Sequence, residues 1–144
     1  MKVEDLMTTN PTCCKADTAL QEVARKMVEH DCGEIPVVDS SGKPLGVVTD
    51  RDICCRTVAE GKNPLDMKAR DIMTTPCITV TPDTPLDECC KLMEDEQVRR
   101  VLVVDASGRC CGVVAQADIA RHDENKREVA EVLEKISQPL HAAA

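Results

Sequence analysis

Thr49 and Asp52 stand three residues apart in the run Gly46-Val47-Val48-Thr49-Asp50-Arg51-Asp52. An apolar strand ends there and a helix is expected to begin. The unpaired N–H groups and positive end of a helix favour an anion such as phosphate. The Thr49 hydroxyl can add a donor to the same oxygen. Asp52, on the first turn, can accept hydrogen bonds from two vicinal hydroxyls. Phosphate beside a cis-diol describes a ribonucleotide. The same two side chains also suit a plain helix cap, and the spacing leaves both readings open.

The other residues with chemistry to offer are ten cysteines, eight of them in the adjacent pairs 13–14, 54–55, 89–90 and 110–111. Neighbours on a strand point to opposite faces, and neighbours on a helix sit about 100° apart, so such pairs do not converge on one ion. There is no Cys-x-x-Cys, and His30, His122 and His141 complete no zinc spacing, so no metal site is expected. Most of the cysteines fall where the pattern asks for an apolar residue, which fits structural thiols acting as small hydrophobes. A redox-sensing thiol, with Cys54 or Cys55 as candidates, is the lesser alternative. No Ser-His-Asp or Cys-His arrangement, P-loop or paired acid suggests catalysis, so no catalytic residue and no enzyme activity are expected.

These residues sit within a duplication. Shifted by 66 residues, 19 of the 49 positions from Asp5 to Ile53 are identical to their partners from Asp71 to Ile119, without a gap. Chance would give roughly 3. Met7-Thr8-Thr9 recurs as Met73-Thr74-Thr75, Asp17-Thr18 as Asp83-Thr84, and Val37-Val38-Asp39 as Val103-Val104-Asp105. In each copy an extended piece (12–15; 78–81) precedes an Asp-Thr helix start, with Thr18 or Thr84 as the expected N-cap. The first helix face reads Leu20, Val23, Ala24, Met27 and Val28. Two apolar strands follow (35–39 with 45–49; 101–105 with 110–115), turned by Asp-x-Ser-Gly at Gly42 and Gly108. A second helix covers about 50–60 and 116–122. The expected fold is therefore α+β, with two β-α-β-β-α repeats. The repeats are placed at 1–66 (with a linker around Asn63-Pro64) and 67–123, and a capping helix and tail at 124–144.

Composition narrows the partners. A net charge of −8, evenly divided and without a basic patch, disfavours nucleic acid and anionic membranes. There is no Phe, Tyr or Trp, so base stacking has no platform. No apolar run approaches the roughly 18–20 residues of a membrane span, and a cytoplasmic protein is expected.

The tandem order of Met-Thr, then Ile35-Pro36-Val37-Val38-Asp39, then G-V-V-T-x-x-D strongly resembles a pair of CBS domains, the Bateman module, over residues 3–122. The resemblance implies two repeats packed about a pseudo-two-fold axis, with clefts holding AMP, ADP, ATP or S-adenosylmethionine, and no further cofactor. It also implies pairing into homodimers. It assigns Thr49 to phosphate and Asp52 to the ribose hydroxyls. The backbone of Thr12, Cys13 and Cys14 and the Ile35-Pro36 segment would line the adenine pocket; without a stacking ring, adenine would sit between aliphatic and thiol side chains such as Ile35, Val37 and Cys13. Arg99 and Arg100 would reach the phosphates; as ordinary surface charges they would do nothing of the kind. The second copy keeps Asp118 but has Ala115 for the hydroxyl. With Thr79 and Val101 it forms the weaker second site. The function this implies is an adenine-nucleotide sensor; the alternatives are a ligand-independent homodimerisation scaffold and the thiol-based response.

Overall fold

The computed structural model describes residues 1–122 and 124–139; residue 123 and residues 140–144, the end of the expected tail, lie outside the described residues. In chain order the elements are β1 (Thr8–Thr9), α1 (Leu20–His30), β2 (Glu34–Val38), β3 (Pro44–Thr49), α2 (Asp50–Arg56), α3 (Ala69–Ile72), β4 (Thr79–Val80), α4 (Leu86–Glu96), β5 (Arg100–Val104), β6 (Cys110–Ala115), α5 (Gln116–His122) and α6 (Lys126–Ile136). The class is α+β, and each copy supplies the expected helix, hairpin and second helix. Gly42 (φ 86°) and Gly108 (φ 82°) turn the two hairpins in the left-handed region. In the first turn the Asp39 carboxylate accepts from Ser41 N (2.9 Å), Ser41 Oγ (2.7 Å) and Lys43 N (3.0 Å). Those bonds, chiefly the Ser41 hydroxyl, hold its carboxyl below the ordinary range.

The chain forms two compact units that cross the boundaries of the sequence repeat. One, the Asp52 unit, comprises Asn10–Cys77 with Ala106–Cys110; the other, the Asp118 unit, comprises Met1–Thr9, Ile78–Asp105 and the chain from Cys111 onward. The leading segment of each copy is thus built into the unit of the other. In the Asp118 unit, Leu86 N donates to Met1 O (3.0 Å) and Val3 N to Thr84 O (2.9 Å). In the Asp52 unit, Leu20 N donates to Met67 O (2.9 Å) and Ala69 N to Thr18 O (2.9 Å), the same bonds displaced by one repeat.

Strand order repeats as well. The Asp118 unit has a four-stranded sheet, β1-β6-β5-β4, with β4 and β5 parallel. The Asp52 unit has the β2–β3 hairpin, extended by a parallel bridge from Cys14 to Val37 and an antiparallel bridge from Val47 to Thr74. The extended piece expected at 12–15 is therefore a bridge rather than a full strand.

Three local expectations are corrected. Thr18 and Thr84 do not cap their helices: their hydroxyls accept from Lys15 N (2.9 Å) and Thr81 N (3.1 Å), closing the turn before the helix. Backbone carbonyls of the exchanged segment, Met67 O and Met1 O, take the first amide instead. Val28 is 83% exposed, because only Leu20, Val23 and Met27 of α1 are buried. The second helix of the first copy stops at Arg56 and gives way to a 3-10 turn at Val58–Glu60.

Each unit has its own core. Cys14 is buried with Leu20, Val23, Ile35, Val37 and Ile72 in one; Cys89 and Cys90 are buried with Met93, Val101, Val103 and Ile119 in the other. Cysteine therefore does fill apolar positions. α6 closes the second core with Val129, Val132 and Ile136, and Lys135 pairs with Glu94 of α4 (3.1 Å). None of the described helices is long and apolar enough to cross a membrane.

Candidate functional site

In the Asp52 unit, β3 delivers Thr49 to the leading end of α2, and the two residues bind each other reciprocally. Thr49 Oγ1 accepts from Asp52 N (3.0 Å), and Asp52 Oδ2 accepts from Thr49 N (3.0 Å). This is a capping box, with two otherwise orphaned amides satisfied at once. The cap leaves the Thr49 hydroxyl proton for another acceptor, so both readings of the pair are compatible with the geometry.

Two further residues reach the same carboxylate. Thr74 Oγ1 donates to Asp52, 3.2 Å from Oδ2 and 3.3 Å from Oδ1. Arg56 Nε lies 3.8 Å from Oδ1, while its Nη1 donates to Ile72 O (2.9 Å) and Met73 O (3.2 Å). Sequence reasoning missed both. Thr74 carried a signal, since Met-Thr-Thr recurs in both copies; Arg56 carried none, its counterpart being His122.

The strand pairing brings most of the other first-copy residues together. Cys14 N donates to Pro36 O (2.9 Å), Val38 N donates to Cys14 O (2.9 Å), and Glu34 faces Thr49 across the hairpin. Thr12 and Cys13 are half-buried beside them. The Cys13 thiol donates to Pro11 O (3.3 Å). A hydrogen bond with the Cys110 thiol, helped by the charges of Lys15 and Lys26, holds Cys13 below the ordinary thiol range against the opposing effect of burial. Ile35 and Val37 are fully buried in the core of their unit. Neither residue exposes surface, and their backbones pair with Val48 and Gly46 across the hairpin.

Arg99 and Arg100 belong to the Asp118 unit, where Arg99 is exposed and its carbonyl accepts from Gln116 N (2.9 Å). In that unit Asp118 Oδ2 accepts from Ala115 N (2.9 Å), and Oδ1 accepts from Arg121 Nη2 (3.1 Å). The residue is only 6% exposed. Thr79 is exposed on β4, whereas Val101 is buried in the core, so its side chain lines no surface. An open groove of about 430 Å³ between α4 and α6 is lined by charged residues including Asp87, Lys91, Glu131 and Lys135, none of them predicted site residues. Among the described residues no cluster of His, Cys, Asp and Glu could hold a metal ion.

With this geometry in place, the duplicated unit has a family. Residues 3–56 and 69–125 match the CBS domain, and the chain belongs to the CBS domain family as a tandem pair. It is 34% identical to the CBS domain-containing protein YhcV of Bacillus subtilis over 96% of this chain and 98% of that one. It is 42% identical to a protein of Methanopyrus kandleri over 80% of this chain, but spans only 56% of that relative's length. Among solved structures it resembles the CBS domain pair of protein MJ0100 in complex with 5'-methylthioadenosine and S-adenosyl-L-methionine, with TM-score 0.78 and 28% identity over 88% of this chain and 98% of that one. It also resembles CBSX2 in complex with AMP, with TM-score 0.72 and 26% identity over 88% and 98% of the two chains.

Proposed function

We propose that this chain is a regulatory module that binds an adenosine-containing ligand through Thr49 and Asp52, and that it acts by binding rather than by catalysis. The observation that carries the reading is the half-buried Thr49–Asp52 pair, its hydroxyl proton still available, in a family whose solved relatives hold AMP or S-adenosylmethionine. Thr49 donates to a phosphate or carboxylate oxygen, and Asp52 accepts from the ribose hydroxyls. The second copy has no hydroxyl at Ala115, and its Asp118 carboxylate is engaged by Arg121, which favours one competent site and one weak or empty one.

Titration calorimetry with AMP, ATP and S-adenosylmethionine tests this. The expected result is one saturable site for at least one of them, lost in Asp52→Ala and retained in Asp118→Ala. A ligand specific to the folded state at a hundred times its Kd also stabilises it by about 2.7 kcal/mol, read as a rise in Tm. Two equal sites, or binding that survives Asp52→Ala, would overturn the proposal. A second reading, self-association as a scaffold, draws on the exposed Val58 (65%) and Leu65 (64%). Analytical ultracentrifugation of Val58→Asp against the parent protein tests it, with dissociation as the expected outcome.

A further inference from the structure

The carboxylate assigned to the ribose is already occupied. We propose that Thr74 is a specificity-determining residue whose hydroxyl holds the edge of Asp52 that a vicinal diol would take, so that a ribose must displace it; this rests on the ribonucleotide reading above. Thr74 Oγ1 is nearly equidistant from the two oxygens, at 3.2 Å and 3.3 Å, and so straddles the fork of the carboxylate. That fork is where a bidentate partner approaches. A carboxylate offers about four lone-pair positions. Thr49 N takes one on Oδ2, Thr74 spreads across the two facing the fork, and Arg56 faces Oδ1. Two adjacent hydroxyls find no pair of positions until one partner leaves.

Thr74 is the partner that leaves most easily. Releasing the Thr49 amide uncaps α2, and Arg56 is fastened to Ile72 O and Met73 O. Thr74, by contrast, makes the longest hydrogen bonds in the group, and its position is fixed by its backbone rather than its side chain. Its N donates to Val47 O (2.8 Å) and its O accepts from Val47 N (3.0 Å). Rotation about one side-chain bond frees the fork while the strand pairing stays intact. The arrangement is particular to this copy: the corresponding Thr8 is exposed, and Asp118 is held by Arg121 instead.

The test compares AMP with 2',3'-dideoxy-AMP, which lacks both hydroxyls, by calorimetry on the full chain. Thr74→Val keeps the shape and removes the donor. Hydrogen bonds to charged groups are the stronger kind, but these are long, so the expected gain is about three- to ten-fold in AMP affinity. Dideoxy-AMP affinity should not change, and Thr74→Ser should behave as the parent. In the parent protein itself, AMP should shift the Thr74 methyl NMR resonance and saturating dideoxy-AMP should not, a readout that does not depend on how the variant folds. Weaker or unchanged AMP binding in Thr74→Val, an equal change for both ligands, or a Thr74 methyl unmoved by AMP would overturn the proposal while leaving the nucleotide site standing. If the parent protein binds no AMP, or binds both ligands alike, the ribonucleotide reading falls and this one with it.

Discussion

Asp52 and Asp118 occupy the same place in two copies of one unit, and their first hydrogen bond is the same. Thr49 N reaches Asp52 Oδ2 at 3.0 Å, and Ala115 N reaches Asp118 Oδ2 at 2.9 Å. That bond serves the fold, because it satisfies the amide where a strand becomes a helix whatever else the copy does. The copies part company at the remaining oxygens. The Asp52 carboxylate accepts from the Thr74 hydroxyl and faces a distant Arg56, while the Thr49 hydroxyl caps the Asp52 backbone N–H; the Asp118 carboxylate is buried against Arg121. An acid that recurs in a duplicated motif thus sits in two different surroundings. The hydroxyls of Thr49 and Thr74 beside Asp52 are what the proposed ligand-binding role draws on.

The largest expected effect tests how far the copies are equivalent in their cores. Burial raises the thiols of Cys14 and Cys89 from an ordinary value of 9.0 to about 11. Each stands where the other copy has valine, Val80 and Val23. Their folded pKa values are raised, so the stability they contribute is complete below pH 9 and is lost as pH climbs to about 11, when unfolded thiols ionise and native ones do not. The loss is about 2–3 kcal/mol per thiol. Urea denaturation across this range should show Cys14→Val and Cys89→Val each removing a similar part of the drop, with Cys77 and Cys111, also raised by burial, contributing to the remainder. A drop that vanishes with one substitution alone would show the copies to be unequal.

Glycine substitutions come next. A Cβ on Gly46 would lie 2.8 Å from the Thr74 carbonyl, which is backbone fixed by strand pairing. On Gly112 it would meet Met7 Sδ first, at 2.7 Å, and then Thr8 O at 3.1 Å. The methionine can move and the carbonyl cannot. Gly46→Ala should cost about 2–3 kcal/mol and Gly112→Ala about 1 kcal/mol, measured by urea denaturation. A reversed order would mean that Met7 is the more rigid neighbour.

The smallest effects sharpen the comparison at the site. Thr49→Ala removes the side-chain half of the capping box and should lower stability by about 1 kcal/mol while weakening AMP binding. Ala115→Thr installs the missing half and should raise stability by about 0.5–1 kcal/mol, read as a higher Tm.

Much of this was legible in the sequence because it is local. The hairpins turned at Gly42 and Gly108 and the Thr49–Asp52 spacing follow from rules spanning a few residues, and the 66-residue repeat shows by direct identity without any folding rule. The errors arose where partners are distant. Thr18 and Thr84 read as N-caps, because nothing nearby announces that Met67 O and Met1 O take the helix amides. The full burial of Ile35, Val37 and Val101 was not legible either, because these strands are apolar on both faces and alternation could not say which way they point. Arg56 was invisible, since its role exists only once residues 72–73 fold back beside α2.

The exchange of leading segments has a consequence for anyone who excises part of this chain. Residues 1–66 form a tidy half of the repeat, yet that fragment lacks the carbonyl that receives Leu20 N and the strand that flanks Val47. Residues 10–77 hold both. The autonomous piece is therefore expected to start nine residues into the first copy and to borrow its last strand from the second.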